Sequence, residues 1–151
     1  MDVAEQYDKI YRYCYFRLSN KQLAEDITQE TFLRFFGQDI NLDNDKKLPY
    51  LYKIARNLCI DEYRKKPAEP LDIFEKNAVY DPSDEWLNNL SIKTIIEKLP
   101  QDEQELLLLR YVNEISVASI CKITGLSRFA VYRKLKRILK QVKEEFERGC
   151  V

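Results

Sequence analysis

Apolar residues recur along most of the chain at i, i+3, i+4 and i+7, the spacing of a helix that buries one side. Tyr7, Ile10, Tyr11, Cys14 and Leu18 predict a first helix over residues 3 to 18. Ser19 then reads as an N-cap with Gln22 at the third helical position, a capping box opening the segment QLAEDITQETFLRFF, which ends near Gly37. Leu23, Ala24, Ile27, Thr31 and Phe35 make its inner stripe. Phe32, Leu33 and Phe36 fall on the far side beside Glu25, Asp26 and Gln29, so this helix is either sandwiched in a bundle or docks on another protein. Asp39 to Lys47 is a polar loop. Leu51, Ile54, Ala55 and Leu58 predict a third helix over residues 48 to 66, with Pro49 in its first turn and Pro67 stopping it.

Residues 67 to 82 break the pattern with three prolines and several carboxylates, which marks a linker. Asp81 and Pro82 predict the N-cap and first position of a further helix running to about Leu99, and Pro100 opens QDEQELLLLRYV, whose acidic first turn suits the helix dipole. Residues 115 to 139, ISVASICKITGLSRFAVYRKLKRIL, have the layout of a helix-turn-helix: Val117, Ile120 and Ile123 on a short helix, Gly125 at the turn, Leu126 anchoring it and Ser127 capping the next helix. Val131, Leu135, Ile138, Leu139 and Val142 are that helix's buried stripe. No stretch alternates as a strand does. The expected fold is all-α, two small helical domains at residues 1–66 and 83–151 joined by an acidic linker at 67–82.

Composition agrees, with 45% hydrophobic residues, 12% aromatic, 33% charged and only 3 Gly and 5 Pro in 151 residues. The zero net charge hides an asymmetry: residues 1–66 carry +1, 67–105 carry −7 and 106–151 carry +6. An acidic middle joined to a basic end suits a local anionic partner rather than a uniform coat on nucleic acid. Four widely spaced cysteines and no histidine give neither a zinc pattern nor a small disulfide framework, so no metal or cofactor is expected and an enzyme finds no support. The longest strongly apolar run, Leu106 to Leu109, is far too short to span a bilayer, and a cytoplasmic protein without membrane insertion is expected.

Two helix faces carry candidate chemistry. Opposite the inner stripe of the third helix lie Tyr52, Lys53, Arg56, Asn57, Tyr63 and Arg64, rings and cations of the kind that stack on exposed bases and hold phosphates. From Arg128 to Lys143 there are seven cations and no acid. The short Gly-centred turn projects this helix, so that its N-terminal side chains reach base edges: Arg128 and Arg133 for guanine, with Lys136, Arg137 and Lys140 for phosphates.

The segments LAEDITQETFLRFF, LPYLYKIARNLCIDEYRKK and LPQDEQELLLLRYVNEISVASICKITGLSRFAVYRKLKRI, in that order around a linker, resemble the extracytoplasmic-function (ECF) sigma factors of bacterial RNA polymerase. The resemblance implies that Asp26, Gln29, Glu30 and Leu33 grip the polymerase core. It implies that Tyr50, Tyr52, Lys53, Arg56, Asn57, Asp61 and Arg64 capture the unpaired −10 promoter strand, with the Asp39 to Lys47 loop receiving a flipped base. Ser127, Arg128, Phe129, Tyr132, Arg133, Lys134, Lys136 and Arg137 would read the −35 element as duplex promoter DNA. Many relatives are held by an anti-sigma factor, which adds that class of partner.

Tyr50 stands where the family usually has Trp, Ala118 and Ser119 where it has acids, and Phe129, Ala130 and Val131 where it has Gly-Thr-Val. These changes spare the fold but block transfer of a promoter sequence from a relative. The rival reading is a helix-turn-helix regulator that is no polymerase subunit, and it would bind duplex DNA tightly on its own.

Overall fold

The computed structural model describes residues 2–38, 42–65 and 90–149, and the described residues hold seven α-helices and no strand. Helices α1 (Val3–Leu18), α2 (Lys21–Gly37) and α3 (Asn44–Lys65) pack on one another as a first unit. Ile10, Tyr13, Cys14, Ala24, Ile27, Leu51, Tyr52, Ala55 and Cys59 form its core. Two buried threonines on α2 are satisfied within the helix, Thr28 donating to the Ala24 carbonyl at 2.6 Å and Thr31 to that of Ile27 at 2.7 Å.

The turn between α1 and α2 corrects the expected capping box. Asn20 is the N-cap, its side-chain oxygen accepting from the Leu23 N–H at 3.0 Å. Ser19 instead ends α1 in a left-handed conformation, φ 55°, its N–H donating to the Tyr15 carbonyl at 2.7 Å. With two residues between helices, one closes the first and the next opens the second. Phe32, expected on the outer side of α2, is buried, its ring 5.3 Å from that of Tyr7. α3 begins at Asn44, so Pro49 lies inside it and residues 44–47, read as loop, are helical. Residues 39–41 of that loop lie outside the described residues, as do the linker at 67–82 and the predicted N-cap at Asp81.

The second unit contains α4 (Leu90–Glu97), α5 (Gln101–Leu107) and α7 (Arg128–Gly149), with α4 and α5 both packed on α7. α5 runs into a π-helical turn, Leu108–Val112, closed by the Asn113 N–H on the Leu108 carbonyl at 2.9 Å. Leu106 to Leu109 are all buried, as are Ile95, Ile96 and Leu99. α6 (Val117–Thr124) follows, with Val117, Ile120 and Ile123 buried as its spacing predicts. Gly125 has φ 81°, a left-handed conformation that side chains other than glycine's rarely adopt. Ser127 then caps α7, its hydroxyl accepting from the Ala130 N–H at 3.1 Å, and Val131, Leu135 and Ile138 form the buried stripe. Leu139, assigned to that stripe by sequence, is exposed.

Candidate nucleic-acid interface

In the first unit, Tyr50, Lys53, Asn57, Asp61 and Arg64 follow i, i+3, i+7, i+11 and i+14 along α3, which places them on one face. Lys53, Asn57, Asp61 and Arg64 are exposed, and Arg56 is half-buried on the flank that also carries the exposed Tyr63. Tyr52 corrects the expectation for this face. It is 0% exposed, packed edge-on against the Tyr13 ring at a centroid distance of 5.9 Å. Behind it, Arg17 is buried over the Tyr13 ring at 5.7 Å and donates to the Tyr13 hydroxyl at 3.3 Å. On the face itself the aromatic is Tyr50, half-buried, whose hydroxyl donates to the Gln38 side-chain oxygen at 2.8 Å.

Tyr50 also lines a concavity of about 320 Å³ with Phe35, Phe36, Gln38, Leu42 and Lys47. Phe35 stands 6.0 Å from Tyr50 and 5.3 Å from Phe36, centroid to centroid. The sequence assigned Lys47 to the loop expected to receive a flipped base, but gave Phe35, Phe36 and Gln38 no role in binding DNA. The available signal was the aromatic run FLRFF directly ahead of the polar loop. A hollow walled by aromatic rings, with a cation and an amide at its edge, has the lining needed to hold a planar base.

Asp26, Gln29, Glu30 and Leu33 share one side of α2 by their helical spacing. Leu33 is 69% exposed and Phe36 60% exposed, whereas Glu30 is held by Arg34 at 2.9 Å and Asp26 accepts from Gln22 at 3.2 Å. An outward-facing apolar pair bordered by carboxylates is the composition of a protein-docking face.

In the second unit, Phe129 is 74% exposed and Tyr132 57% exposed at the start of α7. The Arg133 guanidinium lies 5.5 Å from the Phe129 ring centroid, a cation–π pair on the outer face. Arg128, Lys136 and Lys140 are exposed as well, and Ser127 is occupied by its capping bond. Lys134 and Arg137 depart from the expected set. Lys134 reaches Asp102 of α5 at 3.6 Å, and Arg137 is paired with Glu103 of the same helix. Among the described residues no three His, Cys, Asp or Glu side chains gather as a metal site, and no helix is long and apolar enough to cross a membrane.

Comparison with known proteins converges on one family. Residues 3–68 match the model of Sigma-70 region 2, and residues 89–142 that of Sigma-70, region 4. The ECF RNA polymerase sigma factor SigW of Bacillus subtilis is 32% identical, the match covering 95% of this chain and 88% of that protein. The ECF RNA polymerase sigma factor SigM of the same organism is 29% identical over 93% of this chain and 90% of its own. The fold is similar to that of the sigma factor RpoE solved in complex with the anti-sigma factor NepR from Bartonella quintana, with a TM-score of 0.67, 16% identity and coverage of 93% and 91%. Two sigma regions matched in order, and a relative alike over nearly its whole length, mean that this chain belongs to the ECF RNA polymerase sigma factors and is an alternative sigma subunit whose partners are core RNA polymerase and promoter DNA.

Proposed function

We propose that residues 1–66 dock on core polymerase and hold the melted −10 strand, residues 67–82 act as the tether, and residues 83–151 read the −35 element as duplex. The observation that carries this reading is the pairing of two helix faces of different make. One, on α3, sets Tyr50 and a ring-lined hollow beside Lys53, Asn57 and Arg64. The other, on α7, exposes Phe129, Arg133, Lys136 and Lys140 after a Gly-centred turn. Opening duplex costs about 1.4 kcal/mol per step. Each base stacked on an aromatic side chain returns about 1 to 3 kcal/mol, so a few captured bases suffice to offset local melting.

In this reading the chain catalyses nothing and works by binding alone, in the cytoplasm where polymerase and promoters meet. Leu33, with Asp26, Gln29 and Glu30 around it, grips the core enzyme. Tyr52 supports α3 from within rather than touching DNA. Arg128 and Arg133 take guanine edges, and Phe129 offers an apolar contact of the kind thymine methyls accept. Two DNA contacts, each weak alone, act together through the tether. The complex in which the Bartonella RpoE was solved supports an anti-sigma factor as a further partner here.

Run-off transcription with purified core polymerase tests the reading. The expected result is initiation at defined start sites only when this chain is present. A chain that neither associates with core nor directs initiation overturns it, and tight sequence-specific binding of duplex by the chain alone would favour the regulator instead.

A further inference from the structure

Seven cations stand between Arg128 and Lys143, but they are not equivalent. Phe129, Arg133, Lys136 and Lys140 follow i, i+4, i+7 and i+11, one outward face of α7. Lys134 and Arg137 follow i and i+3 on the neighbouring flank, which turns toward the first turn of α5. There the Glu103 side chain is only 6% exposed, and the Arg137 guanidinium is bonded to its Oε1. A carboxylate withdrawn from water needs a cation and a hydrogen bond, and the guanidinium fork supplies both. The Asp102–Lys134 pair is looser, 3.6 Å apart with Asp102 65% exposed.

We propose that Glu103 withholds Arg137 from DNA phosphate, with Asp102 acting less firmly on Lys134, so that α7 meets the duplex with the remaining cations Arg128, Arg133, Lys136, Lys140 and Lys143. Two carboxylates thus occupy the places that backbone phosphates would take. The consequence is a deliberately weak upstream contact. Binding by the second unit then depends on its tether to polymerase, and stray duplex is left unoccupied. This inference rests on α7 being the helix that meets duplex DNA.

The test measures binding of the full chain, assembled with core polymerase, to upstream promoter duplex as a function of salt. Glu103→Gln should steepen the plot of log affinity against log salt by about 0.9, one added phosphate. Arg137→Ala in that background should return the slope to the starting value, and Glu103→Asp should never leave it. Arg137→Ala alone should leave the slope unchanged. An unaltered slope in folded Glu103→Gln, or a slope flattened by about 0.9 in Arg137→Ala alone, overturns the proposal. Thermal unfolding checks folding of each variant. If Glu103→Gln does not fold, Arg137→Gln takes its place: an unchanged slope supports the proposal and a flattened one overturns it. Lys140→Ala separates the two levels: if it too leaves the slope unchanged, α7 is not on phosphate and the reading beneath the proposal falls.

Discussion

α3 and α7 are both 22-residue helices that present rings and cations, yet they are supported in opposite ways. α3 packs against both α1 and α2, mixes Asp61 with its cations, and buries Tyr52 while leaving Tyr50 half-buried and Tyr63 exposed. α7 has no acid from Arg128 to Lys143 and receives its counter-charges from another helix, through Asp102 and Glu103. On the function proposed above, the difference follows two tasks. A melted strand must be held against its tendency to reanneal, which requires a rigid wall of rings. An intact duplex presents a fixed array of phosphates and base edges, for which the number and placement of cations decide the outcome.

The largest effect that would break this comparison lies behind α3. Tyr52→Ala removes a fully buried ring and its edge contact to Tyr13, and should destabilise the first unit by about 3 to 5 kcal/mol. Urea unfolding of the full chain followed by circular dichroism measures it. A loss below about 1 kcal/mol would mean that Tyr52 does not support the helix from within. Tyr50→Ala should leave stability nearly unchanged and instead slow open-complex formation, a defect that a pre-melted promoter should relieve.

Tyr52 also marks where the sequence stops being legible. Leu51, Ile54, Ala55 and Leu58 define the inner side of α3 by spacing alone; Leu51, Ala55 and Leu58 are buried and Ile54 is half-buried. A helix wedged between two neighbours buries a wider arc than one stripe, and Tyr52 and Cys59 lie in the widened part. Periodicity cannot say how many neighbours a helix has. The turn of the helix-turn-helix was readable because Gly125 and Ser127 act through local backbone geometry, whereas Leu139, assigned to the buried stripe, is exposed. Ser19 and Asn20 are both good caps, so only the geometry of the turn assigns them. The pairing of Arg137 with Glu103 joins residues 34 positions apart, and no local pattern encodes it.

A smaller effect sharpens the contrast through glycine. Gly125→Ala forces a side chain into φ 81° and should destabilise the turn before α7 by about 1 to 2 kcal/mol, although open space surrounds the position. Gly37, at the end of α2, has open space as well and no positive φ, so Gly37→Ala should be neutral or stabilise by up to about 1 kcal/mol. Thermal unfolding of both variants reads the difference. Equal shifts would show that the turn before α7 carries no special backbone demand.

The smallest effect lies at the far end of the outer face of α7. Lys140 is exposed, two turns beyond Arg133 on that face, and the proposed function assigns it to the DNA backbone rather than to base edges. Lys140→Ala should weaken polymerase-bound promoter affinity about equally across upstream sequences and lower the salt slope by about 0.9. Between roughly 50 and 200 mM salt that slope amounts to about a threefold to fourfold change. A loss confined to particular upstream bases would instead make Lys140 a reader of sequence. The division of α7 into an N-terminal portion that specifies and a C-terminal portion that anchors would then have to move toward its C-terminus.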